Sequence, residues 1–394
     1  MKQFKILLAA VLLSNLSHAQ TAPAHLKYFG FALIDCLWDD PQDAGNTTNY
    51  IAEVDSFSNI AHMCIYDYLD NITTRVNLMN SYCVQPLVHI QSVFYERVDA
   101  NGLSGDNYDL IANFSSRWNT FKTINASSLN NSKIAGFYIM DEPFWNGVTF
   151  AELDTICAIV KADFPTIPIM IIEASPVISL MQIPTSVDWL SMDQYGIPSP
   201  HTDPGYLANI ALLKSKRSTS TQEIFLTIDD QWLPYYGTAG FAPDSVAFMV
   251  QNYYNLAVAD TSIIGLLGYV WPGGLDDPGH LGVRNLPQNV IDKNIEIGQL
   301  IKANYNPCLA GLNEESVQTI EVYPNPANDE VSFILEKGVY IISIVNLTGE
   351  KVIEKELIST GEVTINLDKI NSGVYFYEVK LENVFIGKGK LIKQ

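Results

Sequence analysis

Eight short apolar runs between Tyr28 and Val270 limit what this chain can fold into. They are Tyr28–Ile34, Ile60–Tyr66, Pro86–Val93, Ile134–Met140, Ile167–Ile172, Val187–Met192, Ile224–Ile228 and Ile263–Val270. Each is short, apolar and followed by polar or turn-forming residues, the pattern of a strand buried on both faces. Helical patterns fall between them. In Tyr108–Ile124, apolar residues recur at Leu110, Ile111, Phe114, Trp118 and Phe121, three or four apart. Phe150–Phe164 does the same with Leu153, Ile156, Cys157, Val160 and Phe164, and Phe241–Val258 and Gln288–Ile301 are similar.

Strand and helix in regular alternation imply a parallel sheet covered by helices. About 280 residues suit a single (β/α)8 TIM barrel, which typically needs about 250. An open doubly wound sheet would want a Gly-rich phosphate loop after an early strand, and the sequence has none. The expected fold is therefore α/β, a (β/α)8 barrel over residues 20–305. A polar, turn-rich linker follows over 306–317, where Asn306-Pro307 and Gly311 to Glu315 lie.

From 318 to 394 the pattern changes to short strands only. Val339–Val345, Val363–Leu367 and Val374–Leu381 are β-branched or aromatic runs, with turns at Thr348-Gly349, Thr360-Gly361 and Ser372-Gly373. A small all-β sandwich is expected. At the other end, Lys2 and Lys5 precede an apolar run from Ile6 to Leu13, and Ser17-His18-Ala19 offers a small-x-small cleavage site. Residues 1–19 thus read as a secretory signal peptide. No other run is long and apolar enough for a membrane-spanning helix.

Net charge is −20. From Gln318 onward 11 acids face 8 lysines, so the acidity sits in the first 317 residues. This disfavours nucleic acid and acidic lipid as partners. The five cysteines, Cys36, Cys64, Cys83, Cys157 and Cys308, contain no C-x-x-C and suit one or two disulfides in an oxidising compartment. Cys157 falls on an amphipathic helix and reads as a buried small hydrophobe.

The tail carries a resemblance. Val322-Tyr323-Pro324-Asn325-Pro326-Ala327, Leu347-Thr348-Gly349-Glu350, Ser372-Gly373-Val374-Tyr375-Phe376-Tyr377 and the basic end at Lys388, Lys390 and Lys393 resemble the C-terminal sorting domain of the Bacteroidetes type IX secretion system. The resemblance implies that the tail engages that machinery. It also implies export through the periplasm to the cell surface or the medium.

In a barrel, all strand carboxyl ends converge on one face, where the chemistry sits. Here those ends carry acids and aromatics. Asp35, Trp38, Asp39 and Asp40 follow the first run, Tyr66 and Asp67 the second. His89 and Gln91 lie on the third, Asp141, Glu142 and Trp145 after the fourth, and Glu173 after the fifth. Asp193 and Tyr195 follow the sixth, Asp229, Asp230 and Trp232 the seventh, and Trp271 the eighth. Aromatic faces cover the C–H faces of sugar rings, and carboxylates accept hydrogen bonds from hydroxyls. The expected ligand is a carbohydrate, with Trp38, Asp35, Tyr66, His89, Trp145, Tyr195, Trp232 and Trp271 in contact with it and no cofactor or metal.

Cleaving a glycosidic bond needs two carboxyl groups, one to protonate the leaving oxygen and one to attack or activate water. Adjacent residues of a regular strand point to opposite faces, but Asp141 and Glu142 stand where Pro143 turns the chain out. Glu142 has the longer reach and is the expected acid/base, supported by Asp141. The pattern resembles the clan of retaining glycoside hydrolase barrels with an acid/base after the fourth strand and a nucleophile after the seventh. That resemblance implies Asp230 as nucleophile beside Asp229. The chain departs from the clan in having Asp141 where Asn is usual and Asp where a Glu nucleophile is usual. Two variants stay open. In one, similar to α-galactosidase barrels, Asp141 is the nucleophile and Asp193 the acid. In the other, similar to chitinase-like barrels, the substrate's own acetamide attacks; the D-x-x-D-x-D-x-E run of that family is absent.

The sequence thus reads as a secreted glycoside hydrolase, acting on O-glycosyl bonds. The alternatives are a non-catalytic glycan-binding barrel and a magnesium-dependent barrel enzyme built on Asp141, Glu173 and Asp193. The last would want a lysine or histidine base, and no lysine stands at a strand end.

Overall fold

The computed structural model describes residues 22–310, 320, 322–346, 350–359, 361–381 and 384–394. The expected signal segment, residues 311–317 of the expected linker, and Thr348, Gly349 and Thr360 of the expected turns lie outside the described residues. The chain divides after Ala310 into two compact units.

The first unit is a closed parallel barrel of eight strands. They are β1 (Tyr28–Asp35), β2 (Ile60–Cys64), β3 (Gln85–His89), β4 (Gly136–Asp141), β5 (Ile169–Ala174), β6 (Trp189–Asp193), β7 (Glu223–Asp229) and β8 (Ile263–Tyr269). Neighbours in sequence are neighbours in the barrel, and β8 closes on β1. All eight expected runs form these strands. The third stops at His89, because Gln91–Phe94 turns into a short helix.

The covering helices include α1 (Thr73–Ser81), α2 (Phe114–Asn125), α3 (Phe150–Asp163), α4 (Pro204–Ser215), α5 (Val246–Ala259) and α6 (Gln288–Lys302). The expected helix from Tyr108 starts later than its periodicity suggested. Asn107–Leu110 instead pairs antiparallel with Tyr95–Asp99, a hairpin whose polar face stands in solvent. α3 begins where a capping box fixes it: Thr149 accepts from the backbone N–H of Glu152, whose carboxylate accepts from Thr149 N. α4 begins at Pro204, with Asp203 accepting from Tyr206 N at 2.7 Å.

Two apolar layers hold the barrel. Outward-facing strand residues such as Phe137, Ile139, Ile171 and Leu226 pack under the helices with Leu153, Ile156, Val160 and Leu213. Inward-facing residues fill the interior: Ile60, Leu87, Met170, Trp189, Phe225, Ile264 and Leu267. Tyr28, Trp189 and Phe225 pack together with ring centroids 5.0–5.5 Å apart, Tyr28 stacked on Phe225 and Trp189 tilted against both. They plug the amino-terminal end, and Gly265 makes room, since a Cβ there would strike the Phe225 ring. A cavity opens at the carboxyl end. Two disulfides tie the unit, Cys36–Cys64 and Cys83–Cys308, and Cys157 is a buried free thiol.

The second unit is antiparallel. One sheet has β10 (Gly338–Val345) and β13 (Gly373–Leu381) at its centre, with β11 (Lys351–Ser359) and β14 (Val384–Lys393) at its edges. The other pairs β9 (Glu330–Ile334) with Val322–Tyr323 and β12 (Glu362–Asn366). Val331, Phe333 and Ile365 of this sheet share a core with Ile342, Ile344, Tyr377 and Val379 of the other. Phe333 meets Tyr377 edge to face at 5.2 Å. Two sheets facing over one core form the expected sandwich.

Candidate active site

The strand carboxyl ends surround a cavity of about 640 Å³. All eight strands or the loops that follow them contribute to its wall. Its acids are Asp141 and Glu142 from the end of β4, Asp193 from the end of β6, and Asp276 from the loop after β8. Tyr138, Tyr195, Tyr235 and Tyr269 supply rings.

Asp141 and Glu142 both face the cavity because β4 ends irregularly. Its register against β5 slips between Tyr138 and Asp141, a bulge that re-aims the residues beyond it. Tyr138 points into the barrel while Met140 packs with the outer core. Glu142 then takes a left-handed backbone, φ 46°, which is costly for a residue with a side chain. Bonds from both sides fix it. Glu142 N donates to Ile172 O (2.9 Å), Asn146 N donates to Glu142 O (2.8 Å), and the Asn146 amide donates to Asp141 O (3.0 Å). The fully buried Glu173 carboxylate accepts from Phe144 N, Trp145 N and Ala174 N at 2.9, 3.2 and 3.0 Å. Glu173 therefore anchors the loop that carries Glu142.

Glu142 and Asp193 are hydrogen-bonded to each other. Burial, followed by the Asp141 charge, pushes Glu142 up to about 7. Burial and the charges of Glu142 and Asp141 drive Asp193 well above the ordinary carboxylate range. Two carboxyl groups in this contact cannot both ionise near neutral pH, so they hold one proton between them. Asp141 is enclosed by protein but open to the cavity solvent. Burial raises it, and the Tyr138 hydroxyl, which donates to Asp141 Oδ1, partly offsets the rise.

A second chain of contacts runs beneath. Leu33 N donates to His62 Nδ1 (3.2 Å), which puts the His62 proton on Nε2. That proton goes to His89 Nδ1 (3.1 Å), and His89 Nε2 donates to Gln91 Oε1 (3.2 Å). Burial lowers both imidazoles, His89 to about 4, so both are neutral. The His89 ring stacks on Tyr138 at 4.3 Å and holds the tyrosine that holds Asp141.

Of the residues expected from sequence, Asp141, Glu142, Asp193, His89 and Tyr195 line this cavity. Tyr195 stacks on Tyr269 at 5.2 Å and donates to Asp193 Oδ2 at 3.4 Å. The others lie elsewhere. Asp229 is buried and accepts from Gly196 N (2.6 Å) and the Tyr236 hydroxyl (2.7 Å); burial raises it to about 6. Asp230 faces the helical shell, where Asn294 on α6 donates to it at 3.1 Å, and burial raises it to about 8. Asp35 is paired with Arg75 at 2.8 Å. Trp271, 3 % exposed, packs on Phe31 and donates to Glu53 at 2.6 Å. Trp38 donates to Gly273 O and Trp232 to Phe241 O. Trp145 is half-buried on the loop after β4. Tyr66 is 55 % exposed, with its hydroxyl on Cys36 O.

Sequence reasoning missed Tyr138, His62, Gln231 and Asp276. Tyr138 and His62 could have been found by following the alternation of their strands inward. Asp276 stands in a loop, where periodicity gives no signal. Among the described residues, one group of three or more metal-ligating side chains has donor atoms within 4.8 Å of one another: Cys36, His62 and Cys64. Its cysteines are joined as a disulfide. Glu173, needed for the magnesium alternative, is committed to three backbone N–H groups.

The family described as secretion system C-terminal sorting domain matches residues 321–394. No curated protein matches the chain. Among solved structures, a glucosidase from Croceicoccus marinus is 12 % identical with a TM-score of 0.48, covering 87 % of this chain and 93 % of that one. Xylanase 10B from Thermotoga maritima is 12 % identical with a TM-score of 0.47, covering 72 % and 97 %. A calcium-binding mutant of Bacteroides uniformis beta-glucuronidase 2 is 9 % identical with a TM-score of 0.41, covering 93 % of this chain and 45 % of that one. The chain thus spans less than half the length of the glucuronidase. Likenesses of this size carry nothing about activity. The chain is a closed eight-stranded parallel α/β barrel followed by a secretion system C-terminal sorting domain.

Proposed function

We propose that the barrel hydrolyses glycosidic bonds by carboxyl chemistry at the cavity lined by Asp141, Glu142 and Asp193. The observation that carries this reading is the hydrogen-bonded Glu142–Asp193 pair, raised by burial, with the ionisable Asp141 beside it. The pair supplies a proton to the glycosidic oxygen, and the bond from that oxygen to the anomeric carbon breaks. Asp141 faces the positive charge that develops on the carbon and either bonds to it or steadies it. Water then adds at the anomeric carbon, and its proton returns to the pair. The roles originally expected of Asp229 and Asp230 pass in this reading to Asp193 and Asp141.

Export of the enzyme by a type IX secretion system is the companion proposal, supported by the sorting domain at residues 321–394. No helix among the described residues is long and apolar enough to cross a membrane.

A screen of polysaccharides with product analysis tests the reading, run on wild type and Glu142→Gln. Removing general acid catalysis costs about 10²–10⁴-fold in turnover, whereas glycan binding by the rings survives. Unchanged turnover in the variant would remove Glu142 from the mechanism. Binding without any turnover in the wild type would favour a glycan-binding barrel.

A further inference from the structure

Acceptors dominate the cavity wall. Asp141, Glu142, Asp193 and Asp276 line it, and no lysine or arginine does so among the described residues. Arginines carried near the strand ends are already committed: Arg75 to Asp35, Arg284 to Asp43 and Glu53, and Arg117 to the carbonyls of Ser92 and Val93. The two cavity imidazoles are neutral members of the hydrogen-bonded chain that starts at Leu33 N. The wall thus sets four carboxyl groups in one cavity with no cationic side chain among them.

A second observation points the same way. Gln231 lines the cavity and is 0 % exposed, yet neither its Oε1 nor its Nε2 has a hydrogen-bond partner. A buried acceptor without a donor is costly, and a ligand donor would satisfy it. The four carboxylates are not grouped as a metal site, since no three of them bring donor atoms within 4.8 Å of one another.

We infer that the sugar bound here carries a free amino group, a hexosamine whose ammonium donates to Gln231 Oε1 and the cavity carboxylates. This rests on the glycosidase reading of the same site and narrows its substrate class. An ammonium brings three donors and the missing positive charge. A uronic acid or sulfated sugar would bring another negative charge into a low-dielectric pocket with nothing to pair it.

The test compares four trisaccharides: glucosamine, N-acetylglucosamine, glucose and galacturonic acid. Binding is measured by calorimetry on full-length Glu142→Gln, on the same chain with Asp276→Asn, and on the same chain with Asp99→Asn. Asp99 lies exposed on the hairpin and controls for attraction by the acidic surface at large. The expected result is about tenfold tighter binding of the glucosamine trimer than of the glucose trimer at low salt. That advantage should shrink with Asp276→Asn and with added salt, and persist with Asp99→Asn. The galacturonate trimer should bind worst. Equal or tighter binding of a neutral or anionic trimer, absence of glucosamine binding, or equal losses in the two Asp variants would each overturn the inference. Cleavage of the same trimers by wild type separates the two ideas. Preferred glucosamine binding with no cleavage of any glycan keeps the charge preference and sinks the glycosidase reading. Cleavage of a uronate or neutral trimer in preference does the reverse.

Discussion

Glu142, at the bulged exit of β4, and Asp193, at the end of β6, hydrogen-bond carboxyl to carboxyl at the wall of one cavity. They share a proton because both are buried: Glu142 raises Asp193, while the hydrogen bond from Asp193 partly offsets the rise of Glu142. The pH response of activity follows with a definite sign. Glu142 is raised to about 7 and Asp193 further, so the pair keeps its proton at acidic and neutral pH. Above about 7 Glu142 ionises while Asp193 still holds the shared proton, so turnover should hold through neutrality and fall at more alkaline pH, where Asp193 too ionises. A kcat profile still rising at pH 9 would contradict this.

Tyr138 should set the acidic limb. Its hydrogen bond lowers the Asp141 pKa against the rise from burial. Tyr138→Phe should therefore raise the Asp141 pKa and move the acidic limb to higher pH, with kcat down about tenfold. A pH–rate profile of the variant reads both effects.

Stability should fall with pH, opposite to the usual behaviour of a protein rich in paired carboxylates. Folded pKa values are raised to about 7 for Glu173, about 6 for Asp229 and about 8 for Asp230, in each case chiefly by burial. The folded state then binds more protons than the unfolded one, whose carboxylates titrate near 4. The stabilising contribution is full below that value and is lost as pH rises through 6 to 8. The melting temperature should decline between pH 5 and 8. Asp230→Asn should raise it by a few degrees at pH 8 and change little at pH 5. Calorimetry at the two pH values decides the matter.

The eight strands were legible because strands buried on both faces must be apolar throughout, and β10, β12 and β13 of the sandwich because their runs are β-branched or aromatic. β9, β11 and β14 were missed; on β11 the run Glu354-Lys355-Glu356 breaks the apolar pattern on a sheet edge, where charge guards against unwanted pairing. The acids Asp141, Glu142 and Asp193 were also legible, as residues at strand carboxyl ends. That Asp141 and Glu142 point the same way was not, because a bulge and a left-handed glutamate are held by Asn146 in the loop beyond and by Ile172 and Glu173 on the next strand, outside the strand's own pattern. Trp271 shows the converse. An indole at a strand end looks like a sugar platform, yet its partners Phe31 and Glu53 draw it into the wall.

The loop anchor offers a separate test. Glu173→Ala strands three backbone N–H groups and should cost about 1–3 kcal/mol in stability. Because that loop carries Glu142, turnover should fall with it. A Glu173→Ala protein of normal stability and full activity would show that the anchor is dispensable.

Cys83 and Cys308 are 225 residues apart, so their bond closes a loop that holds β3 to β8. Cys308→Ser should lower stability by about 2–5 kcal/mol, read as the denaturation midpoint in urea.

The most direct test uses leaving groups of graded acidity. On aryl glycosides of whichever sugar the polysaccharide screen identifies, kcat/KM is measured for wild type, Glu142→Gln and Asp193→Asn. If the pair delivers the proton, both variants lose about 10²–10⁴-fold on poor leaving groups and recover most of it on leaving groups that need no proton. Equal losses across the series, or no loss in either variant, would show that the Glu142–Asp193 pair is not the proton donor.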